Sequence, residues 1–161
     1  MKKYFVELKE IKLVGIKVRT NNDKEFNTQT AKIGTCIQKF FSQDLVQIPD
    51  RKKPGVTFCA YTEYESDHTG GYTFFIAEEV NSINEIPLNM HSLIIPPQKY
   101  IKFTTEPGVM PGVVIDGWQK IWKMNPEQLG GDRNYKTDFE FYDHRAAESK
   151  NAVVDIFIGI K

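Results

Sequence analysis

The sequence is poor in features that define several large classes of protein. Its 161 residues include only two cysteines, Cys36 and Cys59, which stand in apolar contexts without the close spacing of metal ligands. The three histidines are scattered, and no pair of them has a ligand spacing. We therefore expect no metal, no cofactor and no disulfide framework, and a reduced cytoplasmic location is the simplest interpretation.

Long apolar runs are also lacking. No segment approaches the roughly 18 apolar residues that a membrane-spanning helix needs. Two lysines follow Met1, but Glu7 and Glu10 interrupt the segment in which the apolar part of a signal peptide would lie. The sequence thus predicts one domain, residues 1–161, without a membrane segment or a signal peptide.

Neither sign of charge dominates, since 21 basic residues balance 21 acidic residues. A chain without net charge has no overall electrostatic reason to bind nucleic acid. The distribution is uneven, however: residues 1–53 carry a net charge of +6 and residues 54–161 carry −6. The acidic part forms either a solvated strand face or a negative concavity that suits a cationic ligand.

The sequence does contain a pattern of extended and helical segments that occurs twice. In the first half, residues 4–20 predict an extended segment with a break near Gly15, and Asn27 or Thr28 is a candidate helix cap. Two strands joined by a hairpin turn at 66–71 follow the helix. The helix carries the apolar stripe Ile33, Ile37, Phe40 and Phe41, and the strands cover 56–64 and 72–80.

The second half repeats this order. An extended segment over 93–105 contains the pair Pro96-Pro97, which is typical of a sheet edge or a bulge. Strands over 135–142 and 152–160 end the chain. Between them and the extended segment lies a helix that repeats the spacing of the first stripe, with Val114, Trp118, Ile121 and Trp122.

Two strand–helix–strand–strand units in tandem predict an α+β fold: a curved antiparallel sheet with two helices and a pseudo-twofold relation between its halves, about 1–82 and 90–161. An Ile-Lys-apolar-x-Thr sequence beginning at Ile16 and again at Ile101 supports the repeat. One unit is too small to cover both faces of its sheet, so the halves must pack on each other. The seam between them is a natural place for a ligand cleft.

The second half also carries motifs of a known family. A proline-led strand with a tyrosine (95–103), a Trp-x-x-Ile-Trp helix element (118–122) and an Asp-Phe-Glu-Phe-Tyr strand (138–142) occur in that order. Together they resemble the GyrI-like small-molecule-binding domain, which is the effector-binding domain of AraC-type and multidrug-responsive transcription regulators. The motifs cover residues 93–160, whereas the first half resembles the family only in its architecture.

The resemblance implies a domain whose halves enclose an aromatic pocket, in which a buried glutamate meets cationic, lipophilic compounds. Carried over to this sequence, that glutamate is Glu140, and Tyr142 lies on the same strand. Tyr100 and Trp118 match other positions of the family pattern.

The residues themselves leave two alternatives for this strand. Alternation places Glu140 and Tyr142 on one face and Phe139 and Phe141 on the other. Glu140 either points to water, while the phenylalanines face a core, or lies among aromatic rings, where burial raises its pKa unless a cation compensates. A bound organic cation would supply that charge, and the rings would add cation–π contacts of about 1–2 kcal/mol.

Other candidate residues also have two interpretations. Trp118 and Trp122 lie on one helix face and form either a core or a stacking wall of the pocket. Glu63 is either a surface residue or the counterpart of Glu140 in the first repeat. The loop before the last strand pair departs from the family's compact proline-bearing turn. It carries Arg133, which can reach the mouth of the pocket and argues against a strictly cationic ligand.

We therefore expect a stand-alone effector-binding protein that takes a small aromatic, lipophilic and, in one interpretation, cationic molecule into the cleft. It would act as a sensor, as a sequestering protein or as the partner of a separate transcription regulator. Because the domain starts almost at residue 1, no room is left for a helix-turn-helix, and no direct contact with nucleic acid is expected. The candidate ligand-binding residues are Glu140, Tyr142, Trp118, Trp122, Tyr100 and Glu63.

Two further classes stay open. The sequence has neither a Gly-x-Ser-x-Gly elbow nor a phosphate-binding loop, so it favours a binding protein over an enzyme and predicts no catalytic residues by motif. A hydrolase of electrophilic small molecules, an activity known in some GyrI-like proteins, would use Glu140 as general base and Tyr142 as hydrogen-bond donor. A protein-interaction module of the gyrase-inhibitor type would bind a protein and no small molecule.

Overall fold

The computed structural model describes residues 1–161, and one eight-stranded sheet forms its centre. Neighbouring strands are antiparallel throughout. In chain order the strands are β1 (Lys2–Leu8), β2 (Ile11–Thr20), β3 (Thr57–Thr62), β4 (Tyr72–Glu79), β5 (His91–Ile95), β6 (Gln98–Thr104), β7 (Thr137–Tyr142) and β8 (Asp155–Gly159).

The strand order shows the internal symmetry directly. Across the sheet the order is β1-β6-β8-β7-β3-β4-β2-β5. The tandem repeat makes β1 and β5 counterparts, and likewise β2 and β6, β3 and β7, and β4 and β8. When the order is read from the other end and each strand is replaced by its counterpart, the same order results. A pseudo-twofold axis therefore passes between β3 and β7, which confirms the predicted α+β fold built from a tandem repeat.

Two short links force the sheet to curl back on itself. β1 is first in the sheet and β2 is seventh, yet only Lys9 and Glu10 connect them. Six strand spacings amount to roughly 29 Å in a flat sheet, whereas a two-residue link spans about 11 Å at most. Pro96 and Pro97 connect β5 and β6 under the same constraint.

The predicted break near Gly15 is wrong, because the chain turns at the Lys9–Glu10 link and Gly15 lies inside β2. A glycine is nevertheless required there. A Cβ atom at this position would overlap the carbonyl oxygen of Ile76 on the neighbouring strand. The missing side chain therefore permits close approach of two strands rather than a turn.

The helix predicted for the second half is present, and a second, short helix follows it that the sequence did not predict. α3 (Gly112–Trp122) buries Val114, Trp118 and Ile121 on one face, as the spacing of the stripe requires. A short helix, α4 (Pro126–Leu129), begins with a capping box and ends at a glycine in the left-handed conformation. None of the helices in the structure combines the length and the apolar character required to traverse a bilayer.

The helices of the first half begin elsewhere than predicted. Asn21 caps the single turn α1 (Asn22–Glu25), and α2 (Ile33–Lys39) starts later without a side-chain cap. The predicted cap at Asn27 or Thr28 is therefore wrong. The chain between the two helices forms turns instead.

The apolar stripe of the first half is confirmed only in part. Ile33 and Ile37 pack against the core and Phe40 is buried, but Phe41 is 52% exposed. After α2 the backbone widens into a π-helical turn, Phe40–Asp44. This change of phase turns Phe41 away from the face that an α-helix would have presented to the sheet.

The two faces of the sheet carry separate cores. The inner core is covered by the curled sheet itself, since no helical residue belongs to it; its members are Ile11, Leu13, Phe58, Ala60, Phe75, Ala77, Ile95, Tyr100, Phe139 and Phe157. The opposite face packs against helices in two clusters, one around α2 and one around α3. Tyr61 and Tyr142 pack against both of these clusters and so mark the seam between the halves.

Candidate ligand-binding site

A cavity of about 400 Å³ lies at the seam, between the helices and the helix-facing side of the sheet. Its walls come from α1 and α2 of the first half, from α3 of the second half and from β3, β4 and β7. Most of the lining side chains are apolar or aromatic. Its volume lies within the usual range of small-molecule sites, about 300–1,000 Å³.

Glu140 is the central polar group of this cavity. The residue is 3% exposed, and its carboxyl group accepts hydrogen bonds from the hydroxyls of Tyr61 and Tyr142, each at 2.9 Å. Burial raises the pKa of Glu140 to about 7, although the two tyrosine hydroxyls and the nearby Trp118 indole lower it in part. None of the seven ion pairs in the structure includes Glu140.

The strand β7 places this carboxyl group by simple alternation. Phe139 belongs to the inner core, and Phe141 packs against it. Glu140 therefore faces the helices, where it lies opposite Cys59 of β3 in the strand register. Of the two alternatives for this strand, the structure contradicts exposure to water, because both of its faces are covered.

Aromatic rings form a continuous wall from Glu140 to the loop between β3 and β4. The Tyr61 ring meets the Trp118 ring edge-on, with 5.1 Å between centroids. The ring centroids of Trp118 and Trp122 are 6.3 Å apart. The His68 ring stacks on Trp122 with 5.5 Å between centroids and an interplanar angle of 6°. Tyr72 also packs edge-on against Tyr61.

A second buried acid, Asp138, lies behind the cavity-lining residues Arg133 and Tyr64 and differs from Glu140 because it has a cationic partner. Its Oδ2 accepts from Arg133 Nη2 at 2.5 Å and from the Tyr64 hydroxyl at 2.7 Å, and its Oδ1 accepts from the Gly159 backbone N–H at 2.8 Å. The guanidinium of Arg133 also lies 4.2 Å from the ring centroid of Tyr135. Asp138 thus holds Arg133 in the cavity wall, whereas the sequence predicted only that this arginine can reach the mouth of the pocket.

Glu25 lines the cavity as well, but its carboxylate is occupied by the fold. It accepts from the Thr20 hydroxyl at 2.6 Å and from the backbone N–H groups of Lys32 and Ile33, both at 3.0 Å. These bonds tie α1 to the start of α2. Glu140, in contrast, accepts hydrogen bonds from two tyrosine hydroxyls of the cavity wall and from no backbone group.

The structure brings four of the six predicted site residues together. Glu140, Tyr142, Trp118 and Trp122 all line the cavity. The two tryptophans also serve as core, since both pack in the cluster around α3. The two interpretations of this pair are thus compatible.

Tyr100 and Glu63 do not line the cavity. Tyr100 faces the inner core, where its hydroxyl donates to the Thr137 carbonyl, because alternation along β6 turns Ile101 and Phe103 toward the helices. Glu63 lies beyond the end of β3, exposed and with a left-handed backbone at φ 52°.

The strand pairing identifies Tyr61, and not Glu63, as the counterpart of Glu140. Tyr61 pairs with Phe74, which pairs with Val18. In the other half Glu140 pairs with Ile156, which pairs with Phe103. Val18 and Phe103 hold the same place in the repeated Ile-Lys-apolar sequence, so their partners correspond.

The sequence did not identify Tyr61, Tyr64 or Tyr72 as cavity residues. Tyr61 lies 79 residues from Glu140, and only the pairing of β3 with β7 brings their side chains together. The available signal was alternation, since Tyr61 shares the helix-facing side of β3 with Cys59. That signal becomes useful only after the strand register is known.

The fold and the cavity define the class of protein. A pseudo-twofold sheet of eight strands with helices on one side is the architecture of the GyrI-like effector-binding domains, which confirms the resemblance found in the second half. A family model described as "Cass2: Integron-associated effector binding protein" matches residues 5–160. The chain belongs to this family.

Three relatives illustrate the match. An integron cassette protein from the mobile metagenome of Vibrio cholerae is 31% identical, with a TM-score of 0.77 over 99% of this chain and 95% of that one. YobU of Bacillus subtilis strain 168, whose name provisionally assigns it to transcriptional regulation, is 27% identical over 93% of this chain and 92% of its own. SAV2435, solved with bound tetraphenylphosphonium, covers 100% of this chain and 94% of its own at 18% identity and a TM-score of 0.76, and so shares the fold.

Proposed function

We propose that this effector-binding protein takes up a lipophilic aromatic cation in the seam cavity, with Glu140 as the partner of its charge. The observation that carries the proposal is the state of Glu140: it is buried, it accepts from two tyrosine hydroxyls and it has no cationic partner. An ionised carboxylate in such a place is costly unless a positive charge compensates for its desolvation.

The aromatic wall supplies the rest of the recognition. Rings of Tyr61, Trp118 and Tyr142 surround the carboxyl group, and their faces and edges can contact an organic cation. Cation–π contacts contribute about 1–2 kcal/mol when they are desolvated. Most of the affinity would come from burial of aromatic surface, and Glu140 would set the preference for charge.

Two relatives support the proposal. SAV2435 was solved with tetraphenylphosphonium, which is a lipophilic aromatic cation. The name of YobU suggests a role in transcription for proteins of this kind. We infer that the present chain reports or sequesters such a compound as a sensor, as a sequestering protein or as the partner of a separate regulator.

The test is a titration of tryptophan fluorescence, since Trp118 and Trp122 are the only tryptophans and both line the cavity. Tetraphenylphosphonium and tetraphenylborate have the same shape and opposite charges. We expect the cation to change the fluorescence with micromolar affinity and the anion to bind far more weakly. Glu140→Gln should lower the affinity for the cation by about five- to thirtyfold, in line with a loss of about 1–2 kcal/mol.

The matched control is Glu63→Gln, which makes the same change at an exposed glutamate outside the cavity. Its affinity for tetraphenylphosphonium should equal that of the wild type. Equal binding of the cation and the anion, or an unchanged affinity of Glu140→Gln, would contradict the proposal. If neither compound binds, a search for a protein partner becomes the next step.

A hydrolytic activity is the second candidate, and the raised pKa of Glu140 favours it. A carboxyl group with a pKa of about 7 suits general-base catalysis near neutral pH, and the Tyr142 hydroxyl is a donor at 2.9 Å from it. The two functions are separated by incubating the protein with an electrophilic small molecule and analysing the recovered compound by mass spectrometry. Intact ligand supports binding alone, whereas a product that disappears in Glu140→Gln supports hydrolysis.

A further inference from the structure

The cavity holds most of the buried polar atoms of the molecule that lack a hydrogen-bond partner in the protein. There are four such side-chain atoms, and three of them belong to cavity-lining residues: His68 Nδ1, Arg133 Nε and Trp118 Nε1, the last of which lies close enough to Glu140 to lower its pKa. The fourth is Glu78 Oε1, outside the cavity. Buried polar groups without partners are rare in folded proteins, and their concentration at one site indicates what a ligand must offer.

Arg133 is the most informative of these groups. Its side chain is 9% exposed, and its Nη2 is committed to Asp138. Its guanidinium is also fixed over the ring of Tyr135. Neither its Nε, which is buried, nor its Nη1 has an acceptor in the protein. Because a guanidinium can only donate hydrogen bonds and Arg133 lines the cavity, an acceptor oxygen or nitrogen of a ligand is the partner that this group lacks.

His68 lies at the same end of the cavity. Its burial and the nearby charge of Arg133 both lower the pKa of His68, so the imidazole is neutral at pH 7. Stacking on Trp122 fixes the plane of its ring. A neutral imidazole nitrogen can donate to a ligand or accept from it. The end of the cavity formed by Arg133 and His68, the donor end, thus complements the carboxylate end at Glu140.

The two ends are separated by a distance that the strand sets. Arg133 is anchored on Asp138, which lies two residues from Glu140 on the same face of β7. Residues two apart on a strand are spaced by about 7 Å. A ligand that reaches both ends therefore carries its positive charge and its acceptor several bonds apart.

The positive charge of Arg133 does not exclude a cationic ligand. Asp138 is fully buried, and it pairs with the guanidinium at 2.5 Å. This ion pair is locally neutral, so Arg133 presents a directional N–H donor rather than a free charge.

We propose that the effector is bifunctional: a lipophilic aromatic cation that also carries a carbonyl or ester oxygen, which the guanidinium of Arg133 binds at the donor end with His68 beside it. The inference rests on the proposed function, because Glu140 still binds the positive charge. It adds a second point of recognition, which selects among lipophilic cations by the position of an oxygen acceptor.

The experiment compares two cations of equal length. In 4-ethoxy-4-oxobutyl-triphenylphosphonium an ester lies several bonds from the charge, and n-heptyl-triphenylphosphonium has a chain of the same length without oxygen. Their affinities are measured by calorimetry on the wild type, on Arg133→Lys and on His68→Phe. Arg133→Lys keeps a charge beside Asp138 but removes the guanidinium and its N–H donors, and His68→Phe keeps the stack on Trp122 but removes the ring nitrogens.

The readout is the ratio of the two affinities, in which the general hydrophobicity of the ligands and of the variants cancels. We expect the preference for the ester to fall by about tenfold in Arg133→Lys, as for loss of a hydrogen bond from a charged donor, and by a smaller factor in His68→Phe. Should Arg133→Lys fail to fold, a ratio that is unchanged in His68→Phe overturns the proposal.

The failure of this inference can be told from the failure of the proposed function. If both cations bind and Glu140→Gln weakens both, but the ratio is the same in all proteins, the donor end does not bind the oxygen. This result contradicts the bifunctional effector and leaves the proposed function intact. If neither cation binds the wild type, the proposed function falls and the inference falls with it. A ratio that drops in Arg133→Lys while Glu140→Gln weakens both cations equally supports both.

Discussion

The two halves of the sheet place different side chains at equivalent positions, and the cavity results from this difference. Tyr61 in the first half corresponds to Glu140 in the second, and the two meet across the pseudo-twofold axis in a hydrogen bond of 2.9 Å. Two glutamates there would repel each other in a buried place. The difference between the halves therefore supplies a hydrogen-bond donor for the acid.

A second pair of equivalent positions differs in the volume of the side chain. Gly15 precedes Ile16 in the first half, and Tyr100 precedes Ile101 in the second. Gly15 pairs with Ala77 of β4, whereas Tyr100 pairs with Gly159 of β8. Both positions face the inner core. The second half fills this place with the ring of Tyr100, whereas in the first half Gly15 lets two strands approach closely.

The largest effect is expected where this contact is broken. Gly15→Ala places a Cβ against the carbonyl oxygen of Ile76, and because backbone cannot move aside as a flexible side chain can, the strands must separate. We expect a loss of more than about 3 kcal/mol in the free energy of unfolding, measured by urea denaturation.

The control for this change is Gly34→Ala in α2, where an added Cβ meets nothing within 4 Å. Alanine favours a helix over glycine by about 1 kcal/mol, so this variant should be as stable as the wild type or more stable. A Gly15→Ala protein of wild-type stability would show that the two strands have room for a side chain, so that the two halves would not differ in packing at this position.

The second effect is the pH dependence of stability that Glu140, the acid present in only one half, produces. A carboxyl group with a raised pKa binds its proton more tightly in the folded state, so its presence lowers stability progressively as the pH rises from 4.5 to about 7. Glutamine cannot ionise. The stability of Glu140→Gln relative to the wild type should therefore rise by about 2–3 kcal/mol between about pH 5 and about pH 8.

Urea denaturation of both proteins across this pH range is the measurement. Glu63→Gln, at the exposed position, should show no such increase relative to the wild type. A flat difference for Glu140→Gln would mean that Glu140 keeps an ordinary pKa and that burial does not govern its ionisation.

The smallest effect compares the donors from the two halves. The hydroxyls of Tyr61 and Tyr142 lie at the same 2.9 Å from Glu140, so Tyr61→Phe and Tyr142→Phe should raise its pKa further and by similar amounts. Each loss is expected to cost about 1 kcal/mol in cation binding at neutral pH. Titration of Glu140 by carboxyl-detected NMR measures the pKa, with Tyr4→Phe at the exposed edge as the control. Unequal shifts would show that one half dominates the site.

Patterns within one element were predictable from the sequence. The stripe of α3 depends on the 3.6-residue period alone, and it places Trp118 correctly. The alternation of β7 correctly separates Glu140 from Phe139 and Phe141. Burial of Glu140 is a different matter, because it depends on helices that cover the strand, and only the family resemblance favoured it.

Features that depend on strand pairing were not predictable. The role of Tyr61 depends on the register between β3 and β7, and the position of Tyr100 depends on which face of β6 turns inward. A shift of one residue in a strand exchanges its faces, so a motif match alone cannot assign Tyr100 to the cavity. The π-helical turn that exposes Phe41 likewise has no signal in the apolar spacing.

The exchange of first strands between the halves has a consequence for folding. β1 pairs with β6 and β5 pairs with β2, so Lys2 lies beside Thr104 and neither half contains the partner of its own first strand. Such pairings join residues that are distant in sequence, and the entropy of closing long loops must be met before the contacts form, which slows folding. A chain cut between the halves would therefore behave as a pair of interlocked fragments that gain stable structure only together.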